Sequence, residues 1–319
     1  MKKHTIEKAQ LKPLLLENAV PLFMIAFIAF MVVKKPSFST WDNICNIINE
    51  CSVYGITACA MTVAVICGEF DLSASSVFAW STVLFCLCCN SLGILPAFLI
   101  TIGCGCVMGA FNGLLVAKVR MPAFVASLGT MTAIKGLAYV VTDAKPVNTD
   151  NQILYAIGQF NIGGITIVPI VFALMLVLFI WFMKKTTFGR NIYATGGNYE
   201  VARLSGINVV FCKFIIFVIL GACAALSGVM YCSRIMAGWA PYGSDLSLYC
   251  VAATVIGGTS LAGGSGGVHR TIIGVLLMAI LFNALTLLGV NGSMQKFVRG
   301  IVLITVIIMD ALVHKKQKA

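Results

Sequence analysis

The chain alternates long apolar runs with short polar segments, and most of the runs are long enough to cross a bilayer. A transmembrane helix needs about 20 mostly apolar residues. Ten segments qualify as candidates, namely residues 19–33, 44–66, 75–89, 92–116, 124–141, 165–183, 212–232, 246–261, 268–288 and 293–313. The pattern predicts an all-α polytopic integral membrane protein with about ten transmembrane helices. The short, glycine-flanked segments 75–89 and 246–261 are the candidates for broken or re-entrant spans.

Composition supports the same fold class. Of 319 residues, 60% are hydrophobic and 10% are charged, and the mean hydropathy is +0.98. Soluble domains carry roughly 25% charged residues, so this chain lacks the polar surface that a water-soluble fold of its length needs. The thirteen cysteines lie mostly within apolar runs without paired metal-ligand spacing. They are therefore interpreted as small packing residues, and no metal site is predicted.

The basic residues predict the orientation of the chain, because cytoplasmic loops of membrane proteins are rich in Lys and Arg. With ten spans and a cytoplasmic N-terminus, fifteen of the 22 basic residues lie inside. These are Lys2, Lys3, Lys8, Lys12, Lys118, Arg120, Lys184, Lys185, Arg190, Arg203, Lys213, Arg270, Lys315, Lys316 and Lys318. Both termini are therefore predicted to be cytoplasmic. The cations form short clusters between apolar runs and no continuous stripe, which argues against nucleic-acid binding.

The predicted inside loop, residues 184–213, has the most informative local sequence. Gly196-Gly197-Asn198 is interpreted as a turn, and Asn198 can cap a following helix. Glu200 then lies in the first helical turn, where the helix dipole favours an anion. Residues 200–205 are predicted to form a short helix that ends at Gly206. Such a helix in a cytoplasmic loop is suited to docking a partner, and a purely structural amphipathic turn is the alternative.

Four segments in order resemble one protein family. Residues 186–208 read TTFGRNIYATGGNYEVARLSGIN, residues 67–73 read CGEFDLS, residues 121–130 read MPAFVASLGT, and residues 255–266 read VIGGTSLAGGSG. Together they resemble the permeases of bacterial ABC transporters of the ribose type, which import simple sugars. The resemblance extends from about residue 38 to residue 310. It implies that residues 1–319 form a single transmembrane permease domain, with residues 184–213 as its cytoplasmic coupling loop.

The resemblance also implies the partners of the chain. A cytoplasmic ABC ATPase subunit would bind the ATP, so the chain itself needs no cofactor, and it has no phosphate-binding GxxxxGK[S/T] loop. An extracytoplasmic binding protein would deliver the sugar. A second permease copy or a related chain would complete the path within the lipid of the bacterial inner membrane. The residues assigned to ATPase coupling are Gly189, Arg190, Gly196, Gly197, Asn198, Glu200, Ala202, Ser205 and Gly206.

Four residues are predicted to lie near the sugar path: Asp71, Ser73, Phe124 and Thr130. A carboxylate at the edge of the membrane is costly and usually faces a cavity or a partner. Each residue also has an ordinary structural interpretation. Asp71 can cap a helix that starts at Leu72, Phe124 can pack or anchor at the interface, and Thr130 can bond to its own helix.

Two positions depart from the family pattern and leave the sugar unidentified. The acidic segment that commonly precedes the glycine-rich stretch is replaced by Leu246-Ser247-Leu248-Tyr249, and Arg270 stands where glycine is usual. The alternative function is an ion-coupled secondary transporter of a small polar solute, with Glu69, Asp71 and Lys135 as its charged residues. No paired nucleophile and base is visible, so the chain is predicted not to be an enzyme.

Overall fold

A computed structural model describes the backbone of residues 19–318 and the side chains of residues 20–308. Within these residues the α-helices are α1 (Ala19–Lys34), α2 (Trp41–Ile66), α3 (Ala74–Leu92), α4 (Ile94–Ala117), α5 (Ala123–Thr142), α6 (Gln152–Gln159), α7 (Ile167–Lys185), α8 (Thr187–Gly197), α9 (Tyr199–Leu204), α10 (Val209–Ile235), α11 (Leu246–Ile256), α12 (Val268–Leu287) and α13 (Gly292–Lys318). A 3-10 turn spans Pro36–Ser39, and the two-residue strands are β1 (Val147–Asn148), β2 (Asn161–Ile162), β3 (Ile165–Thr166) and β4 (Ala237–Gly238).

The all-α class is confirmed, and each of the ten predicted segments overlaps a helix. Among residues 19–318, seven helices are long and apolar enough to cross a membrane: α2, α3, α4, α5, α7, α10 and α12. The count of ten spans stays a prediction. Segment 75–89 is an unbroken 19-residue helix. Of the predicted inside cations, Lys2, Lys3, Lys8 and Lys12 lie outside the described residues, as do the side chains of Lys315, Lys316 and Lys318.

Helix α2 lies at the centre of the bundle, with 83% of its most apolar stretch buried. Small residues and hydroxyls let its neighbours approach. The Thr57 and Ser227 hydroxyls are 2.8 Å apart and join α2 to α10, and the Thr62 and Thr271 hydroxyls, 2.7 Å apart, join α2 to α12. In helices α4, α5 and α7, only 22% of the most apolar stretch is buried. Their exposed apolar faces suit contact with lipid, which does not penalise an apolar exterior.

The predicted span 246–261 is broken. Helix α11 has only eleven residues and ends at Gly257. At about 1.5 Å per residue it is roughly 16 Å long, which is about half of the ~30 Å hydrocarbon core. The segment before α11 packs into the bundle: β4 pairs with β1, and the Trp239 backbone N–H donates to the Thr82 hydroxyl at 3.2 Å. The glycine-rich loop, residues 257–267, follows α11.

The bundle has two distinct ends, the hairpin end and the basic end. The hairpin end carries the β2–β3 hairpin, where Gly163 accepts a hydrogen bond from the Trp41 indole at the start of α2. The basic end carries residues 186–208, which contain α8 and α9 and which we call the loop of the basic end. Arg190 lies in α8, and Lys184 and Lys185 precede the loop. Helices α2, α7 and α10 each run from one end to the other. A movement at one end can therefore reach the other through a continuous helix.

Candidate functional site

A polar cavity opens at the hairpin end, between α2, α10 and the hairpin. Its volume is about 530 Å³. Helix α2 contributes Asn46, Asn49, Glu50 and Tyr54, whose spacing places them on one helical face. Helix α10 contributes Tyr231 and Arg234, and Asn161, Gly164 and Thr166 line the cavity from the hairpin. The cavity thus brings one carboxylate, one guanidinium, amides and phenols together in an otherwise apolar bundle.

The polar groups of this cavity divide into two sets. Asn49 is occupied: its Oδ1 accepts from the Thr166 hydroxyl at 2.7 Å, and its amide donates to the Gly164 carbonyl at 3.3 Å. Within the described residues, the side chains of Glu50, Arg234 and Asn46 make no hydrogen bond or ion pair. The hairpin therefore fixes the shape of the cavity, while the charged groups of the cavity remain available to a ligand or to water.

The aromatic residues of the cavity are held in place by rings behind them. The Tyr54 ring centroid lies 4.8 Å from that of Tyr249. The Tyr231 ring lies 5.4 Å from Phe78 and 5.2 Å from Tyr242. Tilted and edge-on ring pairs of this kind are favourable and restrict ring orientation. Both tyrosines are therefore preorganised on the cavity wall.

The predicted path residues Asp71 and Ser73 lie elsewhere, in the connection between α2 and α3. Asp71 is only 1% exposed, and its Oδ1 accepts from the Ser73 backbone N–H at 2.7 Å. The Asn112 amide of α4 donates to Ser73 Oγ at 2.6 Å and to Asp71 Oδ2 at 3.5 Å. The structure thus joins Asp71, Ser73 and Asn112 in one buried cluster, which we call the Asp71 cluster.

Asp71 does not cap a helix that begins at Leu72. Helix α3 begins at Ala74, its N-cap residue is Ser73, and the Ser73 side chain makes no capping bond. Asp71 instead closes a turn just before the helix by accepting from the residue two positions ahead. Burial raises the pKa of the Asp71 carboxyl above its ordinary value, and the hydrogen bonds from Ser73 and Asn112 oppose that rise.

The other two predicted path residues have ordinary surroundings. Phe124 is half exposed, and its ring centroid lies 6.4 Å from that of Phe70. The Thr130 hydroxyl donates to the Ala126 and Ser127 carbonyls of its own helix, at 3.1 Å each. Neither residue lines the hairpin-end cavity. Their role in the sugar path stays a prediction.

The short helix predicted in the loop of the basic end is present as α9. Asn198 Oδ1 accepts from the Val201 N–H at 3.1 Å and caps the helix. Glu200 lies in the first turn, 3.2 Å from Arg203, and Ser205 ends the helix before Gly206, whose φ is +82°. The predicted Gly-Gly turn is wrong: Gly196 and Gly197 are the last residues of α8.

Gly196 lies where three backbone segments pack so closely that a side chain would not fit. A Cβ on Gly196 would lie 1.8 Å from the Ile66 carbonyl oxygen and 2.8 Å from the Gly264 nitrogen. Gly264 donates its N–H to the Ile66 carbonyl at 2.7 Å. A Cβ on Gly263 would lie 2.8 Å from the Gly196 oxygen and 3.0 Å from the Gly68 Cα. The end of α2, the end of α8 and the glycine-rich loop thus interlock. We call Ile66, Gly68, Gly196, Gly263 and Gly264 the glycine junction.

Further contacts tie the loop of the basic end to the bundle. Lys213 of α10 forms an ion pair with Glu69, next to the glycine junction, and its ammonium lies 5.3 Å from the centroid of the Tyr199 ring of α9. The Tyr193 hydroxyl donates to the Gly266 carbonyl at 2.9 Å. A Cβ on Gly189 would lie 2.5 Å from the Met183 oxygen, so Gly189 lets α7 and α8 approach closely.

The residues assigned to coupling differ in what they can touch. Gly197, Asn198, Glu200, Ser205 and Gly206 are exposed. Arg190 is exposed as well, whereas Gly189 is buried, and so is Ala202, which is only 2% exposed. The face of α9 that is open to a partner also presents two aliphatic side chains, Val201 and Leu204, which are 59% and 81% exposed. Sequence reasoning did not single out these two residues.

Comparison with known proteins gives a consistent answer over nearly the whole chain. The family described as branched-chain amino acid transport system / permease component matches residues 43–307. The ribose import permease protein RbsC of Escherichia coli K12 is 36% identical over 313 residues, covering 96% of each chain. The RbsC protein of Bacillus subtilis 168 is 38% identical, covering 90% of this chain and 91% of the relative.

A relative that is named for a different sugar is similar to the same degree. The L-arabinose transport system permease protein AraH of Escherichia coli K12 is 35% identical, covering 93% of this chain and 90% of the relative. No solved structure matches the chain. The full-length match and the bundle of apolar helices agree that the chain belongs to the family of branched-chain amino acid transport system permease components, and is a multi-pass membrane transport protein and not an enzyme.

Proposed function

We propose that this chain is the membrane-spanning permease subunit of an ABC importer, which passes a monosaccharide from a binding protein across the bacterial inner membrane. A separate ATPase subunit supplies the energy and binds the ATP. One observation carries the proposal: α2 and α10 both line the hairpin-end cavity at one end, and at the other end α2 contacts α8 and α10 contacts α9. Force applied at the loop therefore has a direct route to the cavity.

The distances along these helices suit that role. Glu50 and Ile66 are separated by roughly 24 Å along α2, and Lys213 and Arg234 by roughly 32 Å along α10, at about 1.5 Å per residue. Both spans compare with the thickness of a bilayer core. Residues 1–319 act as one permease domain with residues 184–213 as its coupling loop, and both termini are cytoplasmic. The hairpin end then faces the binding protein.

The substrate class follows from the relatives and from the cavity. The relatives are named for ribose and L-arabinose, both pentoses. The cavity has the amides, phenols and charges that bind hydroxyl groups. A second copy of the chain, or a related chain, completes the path within the lipid. Asp71, Ser73, Phe124 and Thr130 are proposed to lie along or next to the inner part of that path.

The ion-coupled alternative has weaker support, because its charged residues already have partners. Glu69 pairs with Lys213, Asp71 is bonded to Ser73, and the Lys135 ammonium donates to the Ser244 hydroxyl at 3.3 Å. None of the three therefore offers an open ion site in the described residues. The relatives compared above are all named as permeases of transport systems.

Reconstitution tests the proposal directly. The chain is placed in liposomes with its ATPase and binding protein, and uptake of radiolabelled D-ribose and L-arabinose is measured. We expect uptake of at least one pentose that requires ATP, the ATPase and the binding protein together. Uptake by the chain alone, driven by a proton or sodium gradient, would instead establish the secondary transporter.

The exposed face of α9 gives a second prediction. Placing a charge on the highly exposed Leu204 by Leu204→Asp is expected to weaken association with the ATPase at least tenfold, since apolar contacts at the centre of an interface carry much of its affinity. Association is measured by co-purification and by surface plasmon resonance on nanodisc-embedded permease. Insertion and thermal stability should stay at the wild-type level, because Leu204 packs against little within the chain.

Tyr155→Asp is the matched control for this substitution. Tyr155 is 57% exposed on α6, which packs against the opposite end of α10 near Ser233. The same charge there should leave ATPase association unchanged. Equal loss of association in both variants, or none in Leu204→Asp, would show that α9 is not the docking element.

A further inference from the structure

We propose that the hairpin-end cavity is itself a binding site for a neutral polyhydroxylated ligand, a monosaccharide, which is held by Glu50, Arg234 and Asn46 between the rings of Tyr54 and Tyr231. This inference rests on the proposed function and adds the place at which the permease contacts its substrate.

The charges of the cavity favour a ligand without net charge. Its lining holds one carboxylate, Glu50, and one guanidinium, Arg234, which do not form an ion pair with each other. A carboxylate only accepts hydrogen bonds and a guanidinium only donates them. A sugar hydroxyl does both, so a ligand with several hydroxyls can satisfy both groups at once without adding charge to the membrane.

The shape and the walls of the cavity support the same ligand class. Its volume of about 530 Å³ lies within the range of small-molecule sites. Among its lining residues, Val53 and Ile235 are the aliphatic ones, so the cavity offers few aliphatic contacts to the side chain of a branched-chain amino acid. The preorganised tyrosine rings provide flat apolar faces for the C–H face of a sugar ring, and their hydroxyls add donors and acceptors.

The lack of internal partners makes this arrangement unusual for a merely structural cluster. Partly buried charged groups are costly unless they are paired or solvated. Asn49, only three residues from Asn46, is fully engaged with the hairpin, so the fold can satisfy polar groups here. Glu50 and Arg234 line the same cavity as Asn49, yet they remain without a protein partner in the described part of the chain. The geometry thus leaves the two charged groups for a ligand.

The test uses the complete complex in liposomes with saturating loaded binding protein, and it measures D-ribose delivered per ATP hydrolysed. Glu50→Gln and Arg234→Gln are each expected to lower this ratio at least tenfold, while loaded binding protein still stimulates the ATPase. Asn46→Ala, at an exposed position on the same face, should lower it about threefold. Asp42→Asn is the matched control, because Asp42 is exposed on α2 outside the cavity.

The outcomes separate this inference from the function on which it rests. If the wild type imports D-ribose and the three cavity variants match Asp42→Asn, the cavity is not the substrate site although the importer function stands. If the wild type imports L-leucine in preference to both pentoses, the polyol assignment is overturned. If the wild type imports no pentose with all partners present, the proposed function itself fails. Assembly of each variant is checked by size-exclusion chromatography, and Asn46→Ala carries the test if a charge variant does not assemble.

Discussion

Replacing Gly196 with alanine is expected to disrupt the glycine junction and abolish ATP-driven transport. The new Cβ would lie 1.8 Å from the Ile66 carbonyl oxygen, a backbone atom at the end of the central helix α2. No rotamer change relieves such a clash, so α8 must move away from α2 and the glycine-rich loop. Overpacking of this kind costs about 3 kcal/mol or more in the free energy of unfolding. The measurements are the thermal unfolding midpoint in detergent and uptake in liposomes.

Gly197→Ala is the matched control for Gly196→Ala. The two glycines are adjacent in α8, yet a Cβ on Gly197 meets nothing within 4 Å. The same methyl group should therefore change the free energy of unfolding by less than about 0.5 kcal/mol. Similar stability of the two variants would contradict the interlocked arrangement at the basic end.

The local sequence predicted the short helix α9 well, because its start and end are set by residues within a few positions. Asn198 caps it and Gly206 ends it in a conformation that glycine favours. The same local reasoning was wrong for Gly196. Glycine is required there because the backbones of Ile66 and Gly264, which are distant in sequence, lie against it. A Gly-Gly pair in a sequence does not reveal whether it turns the chain or allows two backbones to approach closely.

The hairpin-end cavity shows a different limit. Asn46, Asn49 and Glu50 have helical spacing within an apolar run, so one polar face of α2 is visible in the sequence. The sequence does not reveal that α10 brings Arg234 to that face. Nor does it reveal that the hairpin occupies Asn49 while Glu50 has no partner among the residues that the structure describes. Asp71 was instead predicted to lie near the sugar path, because its segment resembles one of the family. The structure places Asp71 in a closed cluster near the basic end.

Replacing Asp71 with alanine is expected to lower the free energy of unfolding by about 3 kcal/mol, since hydrogen bonds to a charged or buried polar acceptor are among the stronger ones. Alanine leaves the Ser73 N–H without its 2.7 Å acceptor and removes one partner of the Asn112 amide. Asp150→Ala is the control, because Asp150 is exposed and its loss should cost almost nothing. Chemical or thermal unfolding in detergent measures both variants, and equal stability would contradict a structural role for the Asp71 cluster.

Asp71→Asn separates stability from transport. Burial raises the pKa of the Asp71 carboxyl, so the folded protein binds this proton more tightly than the unfolded chain does. The stability that this group contributes is then greatest below its ordinary pKa of about 4 and is lost as the pH rises through the raised pKa. Asparagine cannot titrate but keeps an acceptor for Ser73, so the variant should gain stability relative to wild type as the pH rises through that window. If it also transports normally, Asp71 serves the fold; if it is stable but delivers less sugar per ATP, the carboxyl belongs to the path.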